Sequence, residues 1–177
     1  IIACGLTCAD LDEDFEDALR LNGTLRDLRL CHNRISGTLP RSLAAHLIGG
    51  VAESRSNIRE IVLTFNQIDD VNAIGEALLL RAKRNTSDSG GGGISGGEAG
   101  AALTSSSSSL GSSSPPLCQL WVNHNCITDA GIRVLVEALR TNGGLKRLDV
   151  WNNNLSSRCI SELERIAQGR PALTIWG

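Results

Sequence analysis

The sequence predicts an α/β solenoid in which each repeat adds one short parallel strand and one helix. Its main support is a pattern of apolar residues and one asparagine that occurs twice at a fixed interval. The first copy contains Leu117, Leu120, Val122, Asn125 and Ile127, and the second contains Leu145, Leu148, Val150, Asn153 and Leu155. A segment with helical apolar spacing separates the copies. Self-similarity at a fixed period indicates stacked repeats, each of which buries its apolar faces against its neighbours.

Each part of the repeat has a physical role. Leu120 and Val122 alternate with polar positions and therefore face one side of a strand. Asn125 follows where the chain turns, and its amide can satisfy backbone groups that the turn leaves unpaired. Apolar residues at helical spacing then run from Ile132 to Leu139, and Asn142 with the two glycines after it ends the helix.

The segments LWVNHNCITDAGIRVLVEAL and LDVWNNNL resemble the leucine-rich repeat family, specifically its ribonuclease-inhibitor-like class with repeats of 28–29 residues. The resemblance implies a curved parallel sheet on the concave side and helices on the convex side. It also implies a non-enzymatic module that binds a protein partner, acts as a scaffold or sensor, and needs no cofactor.

The same pattern divides the rest of the chain. Residues 1–84 hold a partial first repeat, in which Cys4 takes the asparagine position, and two further repeats. Residues 117–177 hold two repeats and a final strand. Between them, Ser and Gly make up more than half of the range 85–116, so we expect a disordered insertion. Removing nearly all of this range restores the repeat spacing, so the insertion should loop out without ending the solenoid.

Composition narrows the function classes. The net charge of −2 gives no drive toward nucleic acid, and no apolar run is long enough for a membrane segment. The six cysteines form no C-x-x-C pair, which favours free thiols in a reducing, cytoplasmic setting. The chain has no Met and starts in mid-pattern, so we interpret it as a fragment. We see no polar capping repeat at either end of the sequence, and the pattern predicts no particular oligomeric state.

The candidate binding site lies on the predicted concave face. Side chains between the fixed apolar positions should form three columns on that face, and all three tryptophans fall in or beside them. Exposed Trp and Arg residues often dominate interface energies. The predicted protein-binding residues are Arg29, His32, Phe65, Trp121, His124, Asp149, Trp151 and Trp176. The alternative is structural, with Trp121 and Trp151 packing on each other across adjacent strands.

Chemistry other than binding has little support in the sequence. His32 and His124 share a column but have Phe65 between them, which puts them about 10 Å apart and too far apart for one zinc ion. Asp10, Asp12 and Asp14 suggest a calcium loop, but Phe15 stands where that loop needs glycine. No G-x-S-x-G motif is present, so we predict neither a catalytic nor a metal site.

Two alternative functions stay open at this point. One is regulation of a small GTPase, since the repeat class resembles that of the Ran GTPase-activating proteins; stimulated nucleotide hydrolysis would reveal it. The other is an extracellular receptor-type ectodomain, because ISGTLPRSL resembles plant-type repeats and Asn22, Asn85 and Asn154 match the glycosylation sequon. Glycan at Asn85 or cysteine pairing would identify that alternative.

Overall fold

A computed structural model describes residues 2–48, 56–87 and 117–177. Within these ranges, each repeat contributes one short strand to a five-stranded parallel sheet of order β1-β3-β5-β6-β7. A second, two-stranded parallel sheet pairs β2 with β4. The strands are β1 (Asp27–Arg29), β2 (Ser36–Thr38), β3 (Glu60–Val62), β4 (Gln67–Asp70), β5 (Gln119–Trp121), β6 (Arg147–Asp149) and β7 (Thr174–Trp176).

Five α-helices in the described ranges cover one face of the main sheet; the first precedes β1 and the other four follow strands. They are α1 (Glu13–Leu21), α2 (Arg41–Ile48), α3 (Asn72–Ser87), α4 (Asp129–Thr141) and α5 (Ser157–Gln168). Caps define several ends: the Thr128 hydroxyl accepts a hydrogen bond from the Gly131 N–H, and Asn142 ends α4 as predicted. The disordered insertion was predicted to begin at residue 85, but α3 continues past Arg84 to Ser87. None of the described helices is long and apolar enough to cross a membrane.

The core is aliphatic. The middle residue of each main-sheet strand points into it, and Leu28, Ile61, Leu120 and Leu148 lie in register across four strands. All four are almost completely buried. Strands this short cannot bury enough apolar area alone, so the stacked register stabilises the sheet.

An inner asparagine column, formed by Asn33, Asn66, Asn125 and Asn153, joins successive repeats. Asn66 Nδ2 donates to the carbonyl of Leu63 in its own repeat and to that of Leu30 in the preceding one, both at 2.9 Å. Its Oδ1 accepts from the Ile35 N–H at 3.1 Å. Asn125 repeats this arrangement one unit later. The predicted role of the turn asparagines is therefore confirmed.

The first repeat confirms its predicted register. The N–H groups of Cys4 and Leu6 both donate to Asn33 Oδ1, at 3.0 and 3.1 Å. The Leu6 N–H thus donates to Asn33 in the same way as the Ile35 N–H donates to Asn66 one repeat later. Cys4 therefore stands at the asparagine position of its repeat, where a neighbouring amide already satisfies the backbone.

The solenoid continues across the predicted insertion. Strand β3 pairs directly with β5, with Ile61 opposite Leu120, although the whole insertion lies between them in sequence. The repeat spacing predicted this pairing, since the two strands become consecutive once the extra residues are removed. Residues 88–116, which make up most of the predicted disordered segment, lie outside the described part of the chain, and only Asn85–Ser87 fall within α3.

Helices α3 and α4 pack closely at this junction. A Cβ on Gly75 of α3 would lie 2.4 Å from the Leu135 nitrogen of α4. At the start of α4, a Cβ on Gly131 would lie 2.0 Å from the Asp69 carbonyl oxygen, which belongs to β4. The Asn72 side chain adds a polar link: its Nδ2 donates to the Ala130 carbonyl and its Oδ1 accepts from the Val134 N–H, both at 2.8 Å. Contacts that involve backbone atoms thus hold the repeat before the insertion against the repeat after it.

Candidate functional site

The open face of the main sheet, opposite the helices, carries the predicted site. Helices pack about 8–10 Å apart whereas strands lie about 4.8 Å apart, so such a sheet curves with its open face inward. Arg29, Trp121, Asp149 and Trp176 all flank the inward-pointing strand centres and therefore point to this face. His32, Phe65 and His124 follow in the turns.

The residue directly before each inner asparagine has a left-handed backbone. Its φ is +54° to +57°, and the residues are His32, Phe65, His124 and Asn152. Ala3, directly before Cys4 in the first repeat, has the same conformation. This conformation is uncommon outside glycine, although Asn and His tolerate it better than most residues. For a bulky residue such as Phe65 it is unfavourable, by about 1–2 kcal/mol. The asparagine Nδ2 groups donate to carbonyls of their own turn and of the preceding coil, and these bonds hold the turn in this shape.

The side chains at this position form a ring column, defined as His32, Phe65 and His124. The rings of His32 and Phe65 have centroids 4.3 Å apart, and those of Phe65 and His124 are 4.0 Å apart; both pairs are nearly parallel. The strand spacing of about 4.8 Å places equivalent residues at stacking distance. Phe65 is nevertheless 44% exposed. The ring column thus forms a rigid aromatic surface along the turns.

Trp151 extends the ring column. Its ring meets His124 edge-on, with centroids 4.8 Å apart, and it is 55% exposed. The imidazole of His124 is also oriented by Asn152, because its Nδ1 lies 2.7 Å from Asn152 Nδ2. We call the four side chains His32, Phe65, His124 and Trp151 the aromatic ridge. The two histidines are separated by the phenyl ring, as the sequence predicted.

Trp121 and Trp176 form a separate pair. Their rings are nearly parallel with centroids 5.7 Å apart, although β6 lies between their strands. The alternative packing of Trp121 on Trp151 is therefore wrong, because Trp121 stacks on Trp176 and Trp151 contacts His124. Trp121 is also only partly exposed, whereas a solvent-facing position was predicted. The Trp121 ring packs toward Trp176, and this contact covers much of the Trp121 ring.

Asp149 lies between these two tryptophans in the strand register. Its Oδ1 accepts a hydrogen bond from the Trp151 N–H at 3.0 Å. This bond fixes the carboxylate beside the indole pair. The structure therefore brings together Trp121, Asp149, Trp151 and Trp176 at one end of the open face.

Arg29 lies at the opposite end of the sheet. Its guanidinium forms an ion pair with Glu60 on the neighbouring strand, at 2.9 Å. An exposed pair of this kind contributes little to stability, about 0–1 kcal/mol. Three strand spacings separate β1 from β6, so Arg29 and Asp149 lie on the same face but form no common cluster.

Sequence analysis overlooked one further column on this face. It consists of Asp27, Glu60, Gln119, Arg147 and Thr174, which are paired in register across all five strands. The strand alternation would have indicated it, since each member lies two residues before a predicted column residue. It supplies most of the charge on the open face.

Two polar atoms of the face are buried without a hydrogen-bond partner among the described residues: Trp121 Nε1 and Asn123 Oδ1. Both belong to the segment from Trp121 to Asn123, where β5 passes into its turn. Buried unpaired polar atoms are rare and unfavourable in native proteins, so each one calls for an explanation such as a bound water or another group.

The resolved pKa shifts lie away from the open face. Hydrogen bonds from the Ser156 hydroxyl and N–H lower the pKa of Asp129, and those from Thr7 lower the pKa of Asp10. Burial raises the pKa of the Cys159 thiol and lowers that of Arg170, which donates to the Leu139 and Leu145 carbonyls. In the described ranges, no cluster of three or more His, Cys, Asp or Glu residues is arranged to hold a metal.

Comparisons with known proteins identify repeats of one family. The sequence profile of the Leucine Rich Repeat family matches residues 24–45 and 144–166. Together with the one-strand repeats and the parallel sheet, these matches make the fold a leucine-rich-repeat solenoid. The ribonuclease-inhibitor-like subclass stays a prediction.

One solved structure similar to this chain is an internalin (inlF) from Listeria monocytogenes str. 4b F2365. The sequences are 13% identical, and the TM-score is 0.39. The alignment covers 92% of this chain and 36% of the internalin chain, so the chain spans about a third of that protein's length. No curated protein matches the sequence.

Proposed function

We propose that this chain is a non-enzymatic module that binds a protein partner on the open face of its sheet, as part of a scaffold or sensor. The observation that carries the proposal is the aromatic ridge with the nearby indole pair. Phe65, Trp151 and Trp176 are each more than 40% exposed, at 44%, 55% and 42%. The chain has only two Phe and three Trp, so most of its large aromatic side chains stand at the surface instead of in the core.

Folding alone does not account for Phe65. Asparagine or glycine would be the easier residue at a left-handed position, and Asn152 shows that the turn accepts asparagine. A bulky apolar ring there is unfavourable for the backbone and remains exposed to water. Residues that oppose local preference in this way are expected at functional sites.

The geometry of the ridge suits binding. Its rings are stacked on each other, so few side-chain rotations need to be lost when a partner docks. Aromatic anchors of this type contribute about 2 kcal/mol or more each at interface hot spots. The charged column beside the ridge, from Asp27 to Arg147, can provide the polar rim of such an interface.

A cytoplasmic setting is part of the proposal. The six cysteines, all within the described residues, form no disulfide, and Cys4 and Cys126 are exposed. Exposed free thiols suit a reducing compartment better than an oxidising one.

A comparative pull-down tests this function. The complete wild-type chain would be compared with the double variant Phe65→Asn, Trp151→Ser. The matched control is Leu21→Ser, Leu80→Ser, which removes two exposed apolar side chains from the helical side. Circular dichroism would verify that all three chains are folded.

We expect a partner that binds the wild type and the helical control but not the ridge variant. With the purified partner, the ridge variant should bind at least about 30-fold more weakly, which corresponds to 2 kcal/mol. Equal affinity of the wild type and the ridge variant would rule out the ridge as the binding site. Loss of binding in the helical control alone would move the site to the convex side.

A further inference from the structure

The residues that directly precede the main-sheet strands are stacked along one edge of the solenoid. Arg26, Arg59, Cys118 and Lys146 stand before β1, β3, β5 and β6. The Arg59 N–H donates to the Arg26 carbonyl at 2.7 Å. Cys118 links Arg59 to Lys146 in the same way, with both hydrogen bonds at 2.8 Å. We call the three cationic members, Arg26, Arg59 and Lys146, the basic ladder.

The side chains of the basic ladder have no structural partner. All three are exposed, and none of them forms an ion pair or a side-chain hydrogen bond with the described residues. Like charges on adjacent strands repel each other, so placing Arg26 beside Arg59 slightly opposes folding. Residues that oppose local preference without a compensating contact are expected at functional sites.

The exposure of the ladder does not depend on where the sequence begins or ends. The ladder runs along the side of the repeat stack, so repeats added beyond α1 or β7 would lengthen this edge and leave its present members uncovered. The Ser- and Gly-rich range joins the chain beside Cys118. Residues 88–116 contain only two acidic side chains, Asp88 and Glu98, and therefore offer little charge to the ladder.

The helix ends do not account for these cations either. A cation stabilises a helix C-terminus mainly from within the last turn. Arg20 in α1 and Arg140 in α4 already hold such positions. Arg26 and Lys146 lie beyond these two helices, at the start of the following strands.

Building on the proposed function, we propose that the basic ladder binds a carboxylate-rich segment of the protein partner that docks on the aromatic ridge. Strands about 4.8 Å apart spread the three cations over about 14 Å from β1 to β6. In an extended segment, alternate side chains share a face and lie about 6.6 Å apart, so three alternating acidic residues span about 13 Å. The two lengths match, and the two guanidinium groups can each bind a carboxylate with two hydrogen bonds.

The ladder and the aromatic ridge border the open face on opposite sides. The ladder precedes the strands, whereas the ring column of the ridge lies in the turns that follow them. A partner that covers the open face therefore reaches both. Attraction by unpaired cations orients a charged partner during association, and the exposed rings supply apolar contact area once it has docked.

The test is a titration of the complete chain with a short peptide, followed by NMR of the backbone amides. The probe is an acetylated, amidated hexapeptide of alternating Glu and Ser, and in the control peptide Gln replaces Glu. We expect the Glu peptide to shift amide resonances at the ladder and to bind at least about tenfold more tightly than the Gln peptide. Equal binding of the two peptides would overturn the inference.

A pair of triple variants separates the ladder from the overall charge. The ladder variant is Arg26→Gln, Arg59→Gln, Lys146→Gln. The control variant removes the same charge from three exposed arginines of α4 and α5, and it is Arg133→Gln, Arg158→Gln, Arg165→Gln. We expect the ladder variant to lose at least about tenfold in affinity for the Glu peptide and the control variant less than about threefold, since distant charges are screened. Equal losses would overturn the inference, because net charge alone would then explain binding.

A single-stranded oligothymidine with the same number of negative charges tests the competing ligand class. Asp27 and Glu60 directly follow two ladder residues, and they should repel a continuous phosphate backbone that lies along this edge. We expect the Glu peptide to bind more tightly. Tighter binding of the oligonucleotide, lost in the ladder variant, would assign the ladder to nucleic acid and overturn the inference.

Failure of this inference is distinguishable from failure of the proposed function. The ladder variant should bind the purified partner at least about tenfold more weakly at 0.1 M salt, and the difference should shrink at 1 M salt, where charges are screened beyond about 3 Å. If Phe65→Asn, Trp151→Ser abolishes partner binding while the ladder variant keeps it, the ridge binds the partner and this inference is wrong. If the ridge variant keeps full affinity, the proposed function fails, whatever the peptides show.

Discussion

Two neighbouring columns in the same turns differ in what they do. The inner asparagine column faces the coils, and each amide of its central members satisfies backbone groups in two repeats. The ring column lies one residue earlier and faces solvent, and its side chains contact mainly each other. The backbone is nearly the same at every turn, with φ between 54° and 57° from Ala3 to Asn152.

The comparison shows that stability and recognition occupy adjacent positions here. The inner column accepts little chemical change because its amides must reach fixed carbonyls. The outer column carries alanine, histidine, phenylalanine and asparagine at the same backbone angles. Residues of the outer column can therefore be exchanged, and binding specificity altered, without a change of fold. Substitutions that face the coils should be costly, whereas their outward-facing counterparts should be nearly neutral for stability.

The largest effect is expected where the start of α4 packs against β4. Gly131→Ala would place a methyl group 2.0 Å from a backbone oxygen, and backbone cannot yield as a side chain does. We expect a loss of about 3–5 kcal/mol in the free energy of unfolding, measured by urea denaturation. The matched change Gly143→Ala meets open space and should alter stability by less than about 1 kcal/mol. Similar losses in both variants would mean that this junction is not tightly packed.

The inner column comes next. Asn125→Ala should lower the free energy of unfolding by about 2–4 kcal/mol, because it leaves the buried Ile68 N–H without its partner and removes one hydrogen bond each from the Leu63 and Val122 carbonyls. Those carbonyls keep the bonds from Asn66 and Asn153. Its counterpart Asn152→Gly removes an exposed asparagine and keeps the left-handed turn. That variant should unfold within about 1 kcal/mol of wild type. A neutral Asn125→Ala variant would contradict the assignment of stability to the inner column.

A smaller effect is expected for Phe65→Asn. The change removes two ring stacks, each worth about 0.5–1.5 kcal/mol, but relieves an unfavourable backbone conformation of comparable energy. Thermal and urea unfolding should therefore place this variant within about 1 kcal/mol of wild type. A loss several times larger would show that the ring column stabilises the fold and is not reserved for binding.

The smallest effect concerns pH. Asp129 accepts hydrogen bonds from the Ser156 hydroxyl and N–H, which lower its pKa below the ordinary value of 3.8. A lowered pKa in the folded state contributes stability above pH 3.8, and this contribution is lost as the pH falls through the folded-state pKa. The stability gap between wild type and Asp129→Asn should therefore shrink on acidification. Urea unfolding across this range would measure it, and a constant gap would exclude the proposed linkage.

Periodicity made much of the fold predictable. A repeat must place its apolar residues and its asparagine at fixed intervals, so Asn33, Asn66, Asn125 and Asn153 could be assigned from the sequence alone. The pairing of β3 with β5 followed from counting residues between asparagines. Helix ends were less certain: α3 passes Arg84 because basic residues favour a helix end without terminating the helix.

The site was predictable only in outline. Strand alternation placed the tryptophans on the open face, but ring packing depends on side-chain rotation, which the repeat pattern does not encode. From the sequence, the Trp121 ring could pack against either Trp151 or Trp176. The structure shows that it packs against Trp176. The left-handed turn at Phe65 was hidden for another reason, since phenylalanine is among the residues least expected there.

The junction around the insertion also has a consequence for how the chain can be divided. Residues 56–87 and 117–177 meet through paired strands, interlocked helices and the amides of Asn72 and Asn125. Each of these contacts is non-covalent and reaches across a complete repeat boundary. Severing the chain between them would leave two pieces with mutually complementary ends. They should reassemble by fragment complementation, which makes this position a natural place for a split reporter.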